Sequence, residues 1–122
     1  MKRDMDLIRD ILLRIEEGAD DLHTLAERIP GTDYDRIAGH FQVLLDAGYV
    51  TGTDASSHEG TDFQMIRLTW AGHEFLDNAR NDTIWHKVKE ELSKRSMTVS
   101  VDLLQQLLIK FMQSWLNTNI GP

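Results

Sequence analysis

The sequence predicts a mainly α-helical protein with one small β-hairpin, and three observations carry that expectation. Apolar residues recur at helical spacing over residues 4–17, with Ile8, Ile11, Leu12 and Ile15 on one stripe. Two runs of strand formers, residues 49–53 and 63–68, flank a polar stretch that contains Gly60. Helix start and stop signals recur on both sides of that pair.

The elements follow in order. Asp4 and Asp6 fall in the first turn of the first helix, where negative charge suits the dipole, and Gly18 ends it. A second helix is expected over residues 20–28, capped by Asp20 or Asp21, with Leu22, Leu25, Ala26 and Ile29 on one face. That segment is also short enough for a turn plus a strand, and both readings stay open. Pro30-Gly31 stops it. Thr32 is the expected N-cap of a third helix, with Asp35 in the acidic position of a capping box. Ile37, Phe41, Leu44 and Leu45 form its buried face, and Gly48 takes the left-handed position after its end. The hairpin comes next. Thr69 caps a fourth helix running to about Ala79. Asn81 or Asp82 caps a fifth over residues 83–94, with Ile84, Val88 and Leu92 at spacing four. Ser100 caps a sixth running to about Leu116. The polar residues 93–98 read as a linker or hinge.

Helix, helix, helix, hairpin is the order of a winged helix-turn-helix. The expected organisation is a winged helix-turn-helix domain over residues 1–80 and a C-terminal helical extension over residues 81–122.

Composition narrows the class. The hydrophobic share is 41%, enough for a real core. The absence of cysteine excludes a disulfide framework and any thiolate zinc site. The opening residues carry no apolar signal-peptide segment, and no run is apolar enough to span a bilayer, so a cytoplasmic location is expected, with no membrane partner.

In a helix-turn-helix the third helix lies in the major groove. Here Tyr34, Arg36 and His40 are the candidate DNA contacts. Arg36 has the planar fork that matches guanine, and His40 can donate to a base or a phosphate. The charge balance opposes this. From Glu16 to Asp62 eleven acids face two bases, Arg28 and Arg36, a local net charge of −9 within a chain of −7. Affinity for DNA rests largely on neutralised phosphates, and this segment neutralises few. Two expectations therefore stand. One is a DNA-binding transcriptional regulator. The other is a protein-interaction module with an acidic surface and no DNA binding. Elsewhere Lys2, Arg3, Arg9 and Arg14, and again Lys87, Lys89, Lys94 and Arg95, could form a patch for nucleic acid or an acidic partner, but are read in preference as solvated helix faces balanced by Asp6, Asp10, Glu90 and Glu91.

Chemistry-bearing motifs do not emerge. The five histidines lack metal-ligand spacing, and His73 reads as a half-buried, hydrogen-bonded residue. Neither a Gly-rich phosphate loop nor a nucleophile elbow occurs. Catalytic residues, cofactors and metals are expected to be none, and the chain reads as a non-enzyme. Trp70, Phe75 and Trp85 read as core, with Trp70 docking the fourth helix on the hairpin domain.

The sixth helix is apolar around more than half its circumference. Such a helix needs two covers: either it sits between the fourth and fifth helices of its own chain, or, as is expected here, it forms a homodimer, with Leu104, Leu108, Phe111, Met112 and Trp115 as interface candidates.

Two stretches are more specific than the fold. Met1-Lys2-Arg3-Asp4-Met5-Asp6-Leu7-Ile8-Arg9 and the following residues to Leu13 resemble the start of a bacterial and phage family of small proteins classed as a domain of unknown function. Leu68-Thr69-Trp70-Ala71-Gly72-His73-Glu74-Phe75-Leu76-Asp77, continuing through Arg80 and Asp82 to Trp85, is similar to that family's second signature. His40-Phe41-Gln42 through Tyr49-Val50 resembles its helix-to-wing junction, apart from Tyr49, where the family often has an aliphatic residue. The resemblance covers most of residues 1–95. It implies bacterial or prophage origin, a cytoplasmic protein and a winged-helix-like fold, and supplies no catalytic residue or ligand.

Overall fold

The structure is a computed structural model and describes residues 1–95 and 100–119. Among the described residues the chain is mainly helical with one hairpin: α1 (Met5–Glu16), α2 (Leu22–Glu27), α3 (Tyr34–Asp46), β1 (Val50–Asp54), β2 (Phe63–Leu68), α4 (Trp70–Ala79), α5 (Asp82–Arg95) and α6 (Val101–Asn119). The chain forms two compact units, Met1–His73 and Glu74–Pro122. The division falls inside α4, whereas the sequence suggested residue 80. The first turn of α4 is hydrogen-bonded to the hairpin base, and its apolar residues from Phe75 onward belong to the second unit.

In the first unit, α1 buries Leu7, Ile8, Ile11, Leu12 and Ile15, the stripe its periodicity predicts. Short helices need their free N–H groups satisfied, and aspartates do this three times. Asp4 accepts from the Leu7 N–H at 3.1 Å, Asp21 from Thr24 and Asp33 from Arg36 at 2.6 and 2.9 Å. Asp33, not Thr32, is therefore the cap of α3. Of the two readings of residues 20–28 the helix is the one that forms, as α2; just before it Asp20 accepts from the Ile66 N–H at 3.0 Å and Asp21 makes an isolated bridge to Gln64. That link fastens β2 to the helices.

α3 buries Ile37, Ala38, His40, Phe41 and Leu44, and Leu45 is only half-buried. It ends where Gly48 turns to φ +83, a conformation that favours glycine. β1 and β2 pair antiparallel, Val50 with Leu68 and Thr51 with Arg67. Thr53 then pairs with Gln64, so β2 carries one extra residue opposite Gly52, a β-bulge. Met65 lies in it at φ 54, in the left-handed region that costs a non-glycine residue roughly 1–2 kcal/mol. A side chain at position 52 would run into the Ile66 methyl.

The turn from β2 into α4 is tightly tied. Thr69 donates its N–H to the Tyr49 carbonyl at 3.1 Å and its hydroxyl to the Gly48 carbonyl at 2.6 Å, and accepts from the Gly72 N–H at 3.1 Å. Gly72 lies so close to the Tyr49 carbonyl that no Cβ fits. Trp70 is thereby left outside. It is 79% exposed, contrary to the core role its size suggests, because Leu68 and Gly72 take the inward positions on either side. His73, expected half-buried, is exposed for the same reason.

In the second unit, Asn81 accepts from the Ile84 N–H and caps α5, and Ser100 accepts from the Leu103 N–H and caps α6, both at 3.1 Å. Phe75, Leu76, Ile84, Trp85, Val88 and Leu92 are buried. α6 packs on α5 and buries Val101, Leu104 and Leu108. Leu104 and Leu108, expected at a dimer interface, are thus already covered within one chain. Phe111, Met112 and Trp115 are half-buried. Of the expected hinge, residues 93–95 end α5 and the rest lies outside the described residues. Among the described residues, no helix is long and apolar enough to cross a membrane.

The bulge gives a direct test of strain. Met65→Gly should raise the unfolding midpoint in urea, by about 1 kcal/mol of stability, because glycine adopts the left-handed conformation freely. An unchanged or lowered midpoint would show that no strain is held there.

Candidate functional site

The start of α3 and the hairpin tip form the surface that sequence reasoning singled out. Its three expected readers occupy three different environments. His40 is fully buried. Its Nε2 accepts from the Asp4 N–H at 2.9 Å, and its Nδ1 lies 2.8 Å from the Arg36 carbonyl. A backbone N–H only donates and a carbonyl only accepts, so the partners fix a neutral ring with its proton on Nδ1. His40 therefore joins the start of α1 to α3 and presents nothing to a groove. Arg36 bonds the Asp4 carboxylate at 2.8 Å, so its fork is engaged on the α1 side while staying part-exposed.

Tyr34 faces the hairpin tip. Its hydroxyl donates to the Thr61 carbonyl at 2.7 Å, and its ring stacks on His23 at 4.9 Å and 28°. Burial, then the nearby carboxylates of Asp62, Asp21 and Asp35, hold its hydroxyl above the usual tyrosine value of 10.0. His23 approaches the Asp62 carboxylate at 4.0 Å.

The tip organises itself. Asp54 accepts from the Ser56 N–H at 2.9 Å, Ser56 exchanges two hydrogen bonds with Asp62, and Ser57 and Gly60 bridge one another. The Ser56 hydrogen bonds hold the Asp54 carboxyl below its ordinary 3.8. The Thr24 N–H does the same for Asp21. No lysine or arginine occurs between Arg36 and Arg67. The surface is thus rich in carboxylates: Asp21, Asp35 and Asp62 lie near the Tyr34–His23 stack, and Asp33, Asp54 and Glu59 belong to the same start of α3 and hairpin tip. Among the described residues no group of three or more His, Asp or Glu side chains is placed to hold a metal ion. The arrangement suits the attraction of positive charge.

Sequence reasoning missed the His40 bridge and the Tyr34–tip contact. Both join residues distant in the chain, 36 and 27 positions apart, and no local spacing announces them.

His40→Ala should lower stability by about 3 kcal/mol, measured by chemical denaturation, since it opens a cavity and strands the Asp4 N–H. Arg36→Ala, which breaks a surface pair, should lower it by less than about 1 kcal/mol. Similar effects from both would refute the distinction. Tyr34 adds a pH dependence. Its folded value is raised, so its contribution to stability is fully present below pH 10 and is lost as pH rises through that higher value. Tyr34→Phe should remove that alkaline loss, read as the change in thermal midpoint between about pH 9 and 11; an equal loss in the variant would dismiss the effect.

No solved structure matches the chain. A relative from Haemophilus influenzae, described as an uncharacterised protein, is 37% identical over 108 residues, covering 88% of this chain and 92% of the relative. The family model described as "Hypothetical protein (DUF2513)" matches residues 2–98, and the chain belongs to that family.

Proposed function

We propose that this chain is a non-enzymatic winged helix-turn-helix regulatory or adaptor protein, of bacterial or prophage origin and cytoplasmic. In this reading it acts through the start of α3 and the hairpin tip, and what it meets there is a basic protein surface and not DNA. The winged-helix reading is supported by the helix–helix–helix–hairpin order and by the bridge from the α1–α2 connection to β2.

One observation carries the choice of partner. Each residue that would serve DNA already has a partner in the fold: His40 is buried, and Arg36, although part-exposed, is bonded to Asp4 and Tyr34 to Thr61. What surrounds them is mostly carboxylate. DNA binding needs several phosphates neutralised by lysine or arginine, and here they would meet like charge. A lysine- or arginine-rich protein surface meets the opposite charge, with faster and better oriented encounter.

Fluorescence anisotropy tests this. A labelled mixed-sequence duplex should not bind at about 50 mM salt, and an oligoarginine peptide should, more weakly at about 200 mM. Duplex binding that falls steeply with salt and is lost in Arg36→Ala would overturn the reading in favour of a DNA-binding regulator.

A homodimer through α6 is the second part of the proposal. With Leu104 and Leu108 covered, Leu103, Leu107 and Phe111 remain half-exposed at spacing four, a ridge suited to a like ridge on another copy. α6 carries only two charged residues, Asp102 and Lys110, and charge depletion favours such an interface. Sedimentation should show a dimer at micromolar concentration, and Leu107→Lys a monomer. A monomeric parent chain would end the proposal.

A further inference from the structure

The outer face of the hairpin is a second surface, distinct from the acidic tip. Val50, Ile66 and Leu68 point into the core, so strand alternation turns Thr51, Thr53 and Arg67 outward. Met65, 75% exposed, and Trp70 are the apolar side chains beside them. A groove of about 510 Å³ is lined by Thr51, Arg67, Trp70 and His73 among others, and one of about 300 Å³ by Thr51, Gly52, Thr53, Met65 and Arg67. The two share Thr51 and Arg67 and run together.

Three features of this face serve no evident purpose in the fold. Met65 holds a left-handed backbone only to place an apolar side chain in solvent. Trp70 leaves its large ring outside, although Leu68 and Gly72 complete the packing without it. Arg67 makes no ion pair among the described residues, in a unit whose sequence has fourteen acids and seven bases. Its Nε donates to the Thr51 hydroxyl at 3.4 Å, and the side chain lines both grooves.

We propose that this face docks an extended, carboxylate-bearing segment of a partner protein. The acid meets the Arg67 fork, and apolar side chains on either side cover Met65 and Trp70. Charge complementarity selects the occupant: Arg67 is the one lysine or arginine between Arg36 and Arg80, and among the described residues it makes no ion pair, although Glu16 lines the same groove. Trp, Met and Arg are the residue types enriched where proteins bind proteins. β1 has β2 as its ladder partner and is an edge of the two-stranded sheet, so an extended segment can add main-chain hydrogen bonds along it. Glu16 lines the groove at its α1 end and repels an acid there, which places the partner's carboxylate toward the hairpin. A nucleic acid is disfavoured, because it needs several phosphates neutralised and Arg67 is the one lysine or arginine between Arg36 and Arg80, enough for a single carboxylate.

The test is selection of a random peptide library displayed on phage against the full chain. Enriched peptides should carry Asp or Glu flanked by apolar residues. A synthetic copy of one should change the tryptophan emission of the parent chain. Trp70→Ala and Arg67→Glu, both at exposed positions, should each weaken it at least tenfold with unchanged circular dichroism. Met65→Gly should weaken it while raising the unfolding midpoint. Selection on Arg67→Glu should return peptides centred on Lys or Arg. Failure to enrich, enriched peptides without an acid, or equal binding by the variants would overturn the proposal. Binding of a labelled oligothymidine that is lost in Arg67→Glu would overturn it in favour of a nucleic acid.

Discussion

The first unit depends on a buried imidazole. His40 accepts from the backbone where α1 begins and donates to the backbone of its own helix one turn earlier. Without it the Asp4 N–H has no partner in a buried setting, and an unmet buried donor is costly. The bond fixes where α1 starts, and Asp4 is then in place both to cap α1 and to hold Arg36. One side chain thus sets the position of α3 against α1 and decides which way the first turn of α3 faces. That decision removes His40 from any outer surface and commits Arg36 to the α1 side.

The acidity of this unit has a local origin as well as a surface consequence. Short helices expose a large share of unpaired N–H groups, and aspartate satisfies them while complementing the positive helix end. Asp4, Asp21 and Asp33 do this for the first three helices. Asp54 and Asp62 are stitched into the hairpin tip through Ser56. Capping does not neutralise a carboxylate, however. The Thr24 N–H lowers the Asp21 carboxyl, and the Ser56 side chain and N–H lower that of Asp54, so capping favours their charged forms. The same residues that stabilise the elements therefore leave a standing negative field at the tip, and the partner proposed for it follows from how the fold is capped.

Much of the fold was legible because apolar spacing and caps are local signals. The stripe of α1, the Gly48 stop, the hairpin and the caps Thr69 and Ser100 all lie within a few residues of what they control. Legibility failed where a contact joins distant residues. Thr32 and Asp33 are equally good caps by type, and only the entry path of the chain chooses between them. A histidine on the helix expected to read DNA looks like a reader until α1 is laid against it. A tryptophan looks like core unless the neighbouring Gly72 is known to pack on a carbonyl, which turns the ring outward. The apolar surplus of α6 was visible, but its division was not: α5 covers only one line of it, so Leu104 and Leu108 are spent within the chain.

The hairpin shows how one small element carries two chemistries. A strand with period two must present alternate residues to opposite sides. One side is fixed by the core, through Val50, Ile66 and Leu68, and is not free to vary. The tip is fixed by its own turns and is acidic. The outer side owes nothing to either, so its composition is free of structural demand. A face under no demand would be expected to fill with polar, unstrained residues. This one instead holds a strained methionine, an arginine that makes no ion pair among the described residues and an exposed tryptophan around a shared groove. Strain and apolar exposure both oppose stability and solubility, and their coincidence on the one unconstrained face argues for selection by binding.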